Sequence, residues 1–262
     1  MSTAASRSVT VSALSAPERW VIDERLMTPA AGGMTERTID VTQAGAWLDA
    51  QEARGVPWAF ALLLVRAAAI TLARRPDLVR TLAGYHLLEA GSVDIGLAAS
   101  GTPASTSVVI AGAERMPLHA LEAAIANGGS GEARPAVGGI GKWLAWIPFG
   151  FLRRLLLRWL LGTFSYRRCR EGTFHLTCAT GVDVMAPMRF LGGAALGAGR
   201  VREAFVAVEG RIEKRRVATL ILAVDHAVMD GVRAAAVLSG IADLLEGDAL
   251  ADEMNRCLPS AP

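Results

Sequence analysis

Apolar positions change their period several times along this chain, and each change marks an expected element. Val9 to Leu14 alternates apolar and polar, which predicts a short strand. Thr35 to Val41 alternates too, with Thr38 and Asp40 opposite Ile39 and Val41. Thr42 is the expected cap of a short helix through Ala53. Pro57, whose fixed φ suits a first helical turn, opens a run to Arg74 that is apolar nearly all round, and Pro76 stops it. With Arg66 inside it and about 17 residues of length, this run predicts a buried helix and a poor membrane span.

Short strands are expected at His86 to Leu88, Val93 to Ala99 and Thr106 to Ile110. Pro117 to Asn127 predicts a helix with Leu118, Leu121 and Ile125 on one face. Residues 128 to 142 are rich in glycine and read as a loop. Trp143 to Leu161 is strongly apolar, but Pro148, Arg153, Arg154 and Arg158 break it, so no transmembrane segment is expected there. Two readings stay open: a basic amphipathic segment touching a membrane surface or an acidic partner, and a helix pair closing over the core or meeting another subunit. Thr173 to Thr180 alternates as a strand. Ala204 to Val208 and Val217 to Val224 flank the turn Glu209-Gly210-Arg211, and the second run is continuously apolar, as a core strand is. Gly231 to Leu245 predicts a helix with Val232, Ala236, Leu238, Ile241 and Leu245 inward and Gly247 past its end. The tail after Asp248 is expected to fray. The mixture predicts an α+β fold with a mixed β-sheet packed against helices, one domain over 1–262 with an insertion at about 128–171.

Composition narrows the function classes. An apolar share of 52% excludes disorder. A net charge of +2 gives no global field toward nucleic acid, and no nucleic-acid partner is expected. Cys169, Cys178 and Cys257 form no CxxC pair, and His86, His119, His175 and His226 stand far apart, so no metal site is expected. The first twenty residues hold no long apolar core, so a cytoplasmic location is the expectation.

The candidate chemistry concentrates in Asp225-His226-Ala227-Val228-Met229-Asp230-Gly231, between a buried strand and a helix. Such a loop holds His226 on a rigid support where a substrate can reach it, and imidazole suits a general base near neutrality. Asp230 is placed to cap the helix or to fix the loop through an arginine. Gly231 permits close backbone approach.

Strand, Asp-His-x-x-x-Asp-Gly, then helix resembles the catalytic domain of the 2-oxoacid dehydrogenase acyltransferases, in the chloramphenicol acetyltransferase-like superfamily. Trp58 to Tyr85, Val93-Asp-Ile-Gly-Leu-Ala and Gly172-Thr-Phe-His-Leu-Thr are similar to further stretches of that family. The resemblance covers roughly residues 35–127 and 172–247. It implies a two-layer sandwich, a homotrimer and an active site between subunits. It also implies His226 as general base, Thr177 as donor to the tetrahedral oxyanion, and Asp230 as the residue that keeps the loop in shape, with Arg19 or Arg25 as its partner. Asp225 and Gly231 are structural at the site. His175, on the same strand face as Thr177, and Cys178 are candidate substrate contacts, while a packed Cys178 is the plainer alternative. The chain departs from the family in Cys178-Ala179-Thr180-Gly181 after Thr177 and in Ala227 after the histidine.

The implied donor is acetyl-CoA or another acyl-CoA as co-substrate, with no permanently bound cofactor. The implied acceptor is a small-molecule hydroxyl, such as the primary alcohol of a tetronate natural-product intermediate. The alternatives are acyl transfer to or from an acyl carrier protein and a non-catalytic trimeric scaffold. Trp143, Trp146, Phe149, Phe151 and Trp159 either line an acyl pocket or pack a core or interface. Arg153, Arg154, Arg158, Arg167, Arg168 and Arg170 either dock phosphates or an acidic carrier, or form a solvated face.

Overall fold

The computed structural model describes residues 9–13, 32–83, 86–98, 107–127, 149–161, 172–187 and 193–257. Ten strands are found among them: β1 (Val9–Ala13), β2 (Gly32–Asp40), β3 (Arg80–Ala83), β4 (His86–Ala90), β5 (Ile95–Ala98), β6 (Ser107–Ile110), β7 (Phe174–Cys178), β8 (Ala194–Ala198), β9 (Arg202–Val208) and β10 (Arg211–Asp225). The helices are α1 (Gly45–Ala53), α2 (Ala59–Arg74), α3 (Leu118–Ala126), α4 (Gly150–Leu161), α5 (Gly231–Glu246) and α6 (Ala251–Arg256).

β10 organises the molecule. Its second half, Val217 to Val224, is buried throughout, because the continuous apolar run leaves neither face fit for water. It pairs antiparallel with β2 on one side and β8 on the other. Its first half pairs with β9 across Glu209 and Gly210, which both take positive φ (49° and 79°), as a tight hairpin turn requires. The large sheet runs β2-β10-β8-β7-β5-β6, with β7 parallel to both β5 and β8, so it is mixed. A second sheet of three strands, β1-β4-β3, stands apart.

Alternation sorts the strands into two faces. Ala218, Leu220, Leu222 and Val224 of β10 enter the main core with Phe174, Leu176, Ala194, Leu196 and the helices α2 and α5. α2 is buried over most of its circumference, as its composition requires. Its internal Arg66 forms a two-pronged pair with Glu253 of α6 (Nη2 to Oε1 2.6 Å, Nε to Oε2 2.9 Å). Glu253 also accepts the Leu118 N–H at 3.1 Å. Burial alone would raise the Glu253 carboxyl, but the hydrogen bonds and charge of Arg66, with the Leu118 N–H and nearby Arg256, hold it below its ordinary value.

Two of the family-like stretches lie side by side. The Asp94 N–H donates to the Thr173 hydroxyl (3.0 Å), that hydroxyl donates to the Asp94 carbonyl (3.1 Å), and the Thr173 N–H donates to the same carbonyl (2.7 Å). Gly172 has φ +73°, and a Cβ there would stand 2.3 Å from the Asp94 carbonyl oxygen. These contacts lock β5 beside β7, with Ile95 opposite Phe174.

The structure corrects several expectations. β8 and β3 carry no apolar–polar alternation and were not expected as strands; β8 is a buried central strand of small residues. The space its small residues leave is filled by a crossing segment: a Cβ on Gly197 would lie 2.0 Å from the Met185 carbonyl oxygen. Ala44, not Thr42, stands at the start of α1, because the Thr42 hydroxyl accepts the Arg216 N–H instead (2.9 Å). Val232 is 81% exposed, and Ala234 and Val237 take the inward places in α5. The tail does not fray at Asp248: α6 buries Met254 and supplies Glu253 to Arg66. The loop expected at 128 to 142, together with Trp143 and Trp146, lies outside the described residues.

Candidate active site

The loop after β10 is built by its own side chains. Asp225 Oδ1 accepts the Ala227 N–H (2.9 Å), and the Asp225 carbonyl accepts the N–H groups of Val228 and Met229 (2.8 and 2.9 Å). Val228 and Met229 then plug into the protein, 7% and 2% exposed, which anchors the loop from beneath. Asp230 adopts the extended conformation of a helix cap, and its Oδ1 accepts the Arg233 N–H at 2.8 Å. Of the two roles open to Asp230, the described residues show capping; Arg19 and Arg25 lie outside them. Gly231 begins α5 with no atom within 4 Å of where its Cβ would be. The chain's own packing therefore does not demand glycine there, and open space lies beside the histidine loop.

His226 is exposed at the edge of the sheet, and its ring is seated on β2. A Cβ on Gly33 would stand 2.7 Å from the imidazole Nε2 and 2.9 Å from Cε1. Gly33 pairs with Val224, which brings β2 under the ring. Sequence reasoning missed Gly33. The strand expected from Thr35 in fact begins at Gly32, and the Gly32-Gly33 pair just before the alternation was the available signal, since a glycine in a strand often marks close approach of another group.

Thr177 lies elsewhere. In β7, Phe174 and Leu176 face the helices, so His175 and Thr177 face the other side of the sheet. Thr177 stands level with Gly197 of β8, and Gly197 with Ile221 of β10. His226 is five residues further along, which at strand rise is about 17 Å along the sheet, with two strand spacings of about 5 Å to cross. Within one chain, Thr177 and His226 occupy different ends and opposite faces. His175 shares the face of Thr177, is half-buried, and lies level with Ala195.

Cys178 packs against the main core on the helix side. Burial pushes its thiol up to about 11, so it is protonated at neutral pH and a poor nucleophile. Beyond the end of β7 lies a cleft of about 480 Å³ whose lining includes Thr180, Arg200, Arg216, Asp49, Glu52 and Phe60. Arg216 is committed to Asp49 (2.7 and 2.9 Å) and Arg200 to Asp183 (2.6 Å). His226 does not line this cleft. Phe149, Phe151 and Trp159 are 61, 72 and 66% exposed, so they pack no core among the described residues.

Comparison with known proteins agrees with this architecture. Residues 160–251 match the family described as 2-oxoacid dehydrogenases acyltransferase (catalytic domain). The chain is 30% identical over 195 residues to the dihydrolipoyllysine-residue succinyltransferase component of the 2-oxoglutarate dehydrogenase complex of Pseudomonas aeruginosa. That alignment takes in 74% of this chain and 42% of the relative, so the chain spans less than half the length of the relative it matches. Its fold is similar to the cubic core of the pyruvate dehydrogenase multienzyme complex (TM-score 0.61, 23% identity, 90% of this chain and 86% of that one). A chloramphenicol acetyltransferase is similar at TM-score 0.50 and 12% identity, over 92% of this chain and 100% of that one. At these identities the structural likeness speaks for the fold. By sequence and by fold together, the chain is similar to the acyltransferase catalytic domains of the 2-oxoacid dehydrogenases, and it shares its fold with a chloramphenicol acetyltransferase.

Proposed function

We propose that this chain is an acyltransferase that moves an acyl group, acetyl in the first instance, from coenzyme A to the hydroxyl of a small molecule. The observation that carries the reading is His226, exposed on a loop that Asp225 and Asp230 brace from both ends and seated against Gly33. His226 takes the proton of the acceptor hydroxyl as its oxygen attacks the thioester carbonyl. The tetrahedral oxyanion accepts a hydrogen bond from the Thr177 hydroxyl, a donor worth roughly 3 kcal/mol in such sites. Collapse breaks the carbon–sulfur bond, and the departing thiolate takes the proton back from the imidazolium. The products are an ester and free coenzyme A, with no covalent enzyme intermediate and no use of Cys178.

The separation of Thr177 from His226 supports a site shared between subunits, His226 from one copy and Thr177 from its neighbour. A homotrimer is the assembly we propose, in the cytoplasm, and the acceptor class is a natural-product alcohol such as a tetronate. A second donor is favoured by one observation: the Pseudomonas aeruginosa relative is described by a dihydrolipoyllysine residue, a group tethered to protein. An acyl carrier protein thioester is therefore the alternative donor.

The test is binding and hydrolysis of acetyl-CoA by the purified protein beside His226→Ala. Binding with slow hydrolysis that falls by orders of magnitude in the variant supports the reading. Binding and hydrolysis unchanged in His226→Ala contradicts it. Absence of both, with transfer from an acylated carrier protein, moves the donor to the alternative.

A further inference from the structure

α4 carries the densest group of exposed large apolar side chains among the described residues. Phe151, Leu155 and Trp159 are 72, 64 and 66% exposed and recur every fourth residue. Leu152 and Leu156 beside them are 43 and 38% exposed. At 100° per residue these five positions span an arc of about 140°. Phe149 extends the arc from just before the helix, its ring 6.0 Å from that of Phe151. No described element packs substantially on this helix.

Charge in this part of the chain is one-sided. Residues 133–170 hold eight basic and no acidic residues, whereas the rest of the chain holds 19 basic and 25 acidic, a net −6. On the helix itself, positions 158 and 154 follow the arc on one side and position 153 lies just past position 160 on the other, and all three are arginine. Twelve residues of helix reach about 18 Å, too short for a hydrocarbon core of about 30 Å. An apolar face that carries Phe in its first turn and Trp in its last, flanked by arginine positions, fits the boundary between headgroups and acyl chains.

We propose that α4 is an interfacial anchor, which lays its Phe151, Leu155 and Trp159 face into the surface of an anionic lipid bilayer. A second copy meeting this helix face to face would set the bordering arginine positions of both copies against one another, with no acidic residue in the segment to relieve them. An acidic carrier protein would satisfy the charge but does not call for five exposed large apolar side chains on one arc. Anionic lipid satisfies both features.

The test is vesicle flotation of the full chain at 0.1 M salt. Phosphatidylcholine vesicles are compared with vesicles holding 30% phosphatidylglycerol. The expected result is at least about tenfold stronger binding to the anionic vesicles. Phe151→Ser with Leu155→Ser and Trp159→Ser weakens it by at least about 100-fold. Arg153→Glu with Arg154→Glu weakens it by at least about tenfold. Ile212→Ser, at an 80% exposed position on the β9–β10 hairpin, leaves it unchanged. Phe151, Leu155, Trp159 and Ile212 are exposed, so circular dichroism melts of the variants at these positions should match the parent. A chain that binds neither vesicle overturns the proposal, as does undiminished binding by the triple variant. So does a triple variant that dissociates an oligomer the parent forms, since the face is then a subunit contact. Binding to an acidic carrier protein that the Arg153→Glu and Arg154→Glu pair abolishes, with vesicles ignored, overturns it in favour of a protein partner.

Discussion

Gly33→Ala should damage catalysis while sparing the fold. The added Cβ would meet His226 Nε2 at 2.7 Å and Cε1 at 2.9 Å, with Val224 Cγ2 at 3.5 Å. Ordinary contact is about 3.5 Å, so the ring must retreat by about 0.7 Å. The ring is the end of an exposed side chain, so its retreat costs little, and the variant's stability should fall by less than about 1 kcal/mol. Catalysis is less forgiving, since a misplacement near 1 Å can cost about 100-fold. We expect kcat/KM to fall by roughly 30- to 100-fold, or about 2 to 2.7 kcal/mol of transition-state stabilisation. The assay is thiol release from acetyl-CoA in four proteins: parent, Gly33→Ala, His226→Ala and the double variant. If Gly33 acts only by seating the ring, its substitution costs nothing once His226 is gone, and the coupling equals the whole effect. Full activity of Gly33→Ala, or an equal loss in both backgrounds, would refute the reasoning.

Other parts of the structure give further expectations. Asp230→Ala should lose about 1 kcal/mol of stability in denaturant titration, whereas Asp230→Asn, which can still cap α5, should lose little. Glu253→Gln should cost about 2 to 3 kcal/mol, because Arg66 keeps a partly buried charge with a weaker partner. The folded Glu253 carboxyl titrates below its ordinary 4.5, so the pair's contribution is complete at neutral pH and is lost as pH falls below that value. Acid titrations of parent and Glu253→Gln should converge; a constant gap down to pH 2 would contradict the assignment. Cys178 should resist iodoacetamide at pH 7.5 and react faster only as pH nears its value of about 11, as peptide mapping can follow. Gly172→Ala should sharply reduce soluble yield and melting temperature, since it meets both a φ of +73° and the Asp94 carbonyl.

Much of the fold was legible where one pattern spoke clearly. The apolar run at 217–224 announced the strand that organises the sheet, and the all-round apolar run from Pro57 announced the buried helix α2. β8 was not legible, because Ala-Ala-Leu-Gly-Ala lacks β-branched and aromatic residues, and its small residues answer to a segment crossing above it. Val232 misled because one apolar residue in the first turn of a helix does not fix which way that turn faces. The end of the chain looked polar because Glu253 and Arg256 are charged, yet Glu253 is the partner that a buried Arg66 needs. Around His226, the strand before it, the helix after it and the capping option for Asp230 were legible from the spacing. Gly33 did not, because its role depends on strand pairing between residues almost two hundred positions apart.

The central claim is that His226 and Thr177 act together across a subunit boundary. The most direct measurement mixes His226→Ala chains with Thr177→Ala chains, each inactive alone, after dissociation and reassembly at equal ratio. In the proposed trimer, every head-to-tail interface would draw its histidine from one chain and its threonine from the next. Random assembly then makes one interface in four intact, so activity should return to about one quarter of the parent's. Mixtures no more active than the separate variants, from chains shown to have co-assembled, would contradict the account.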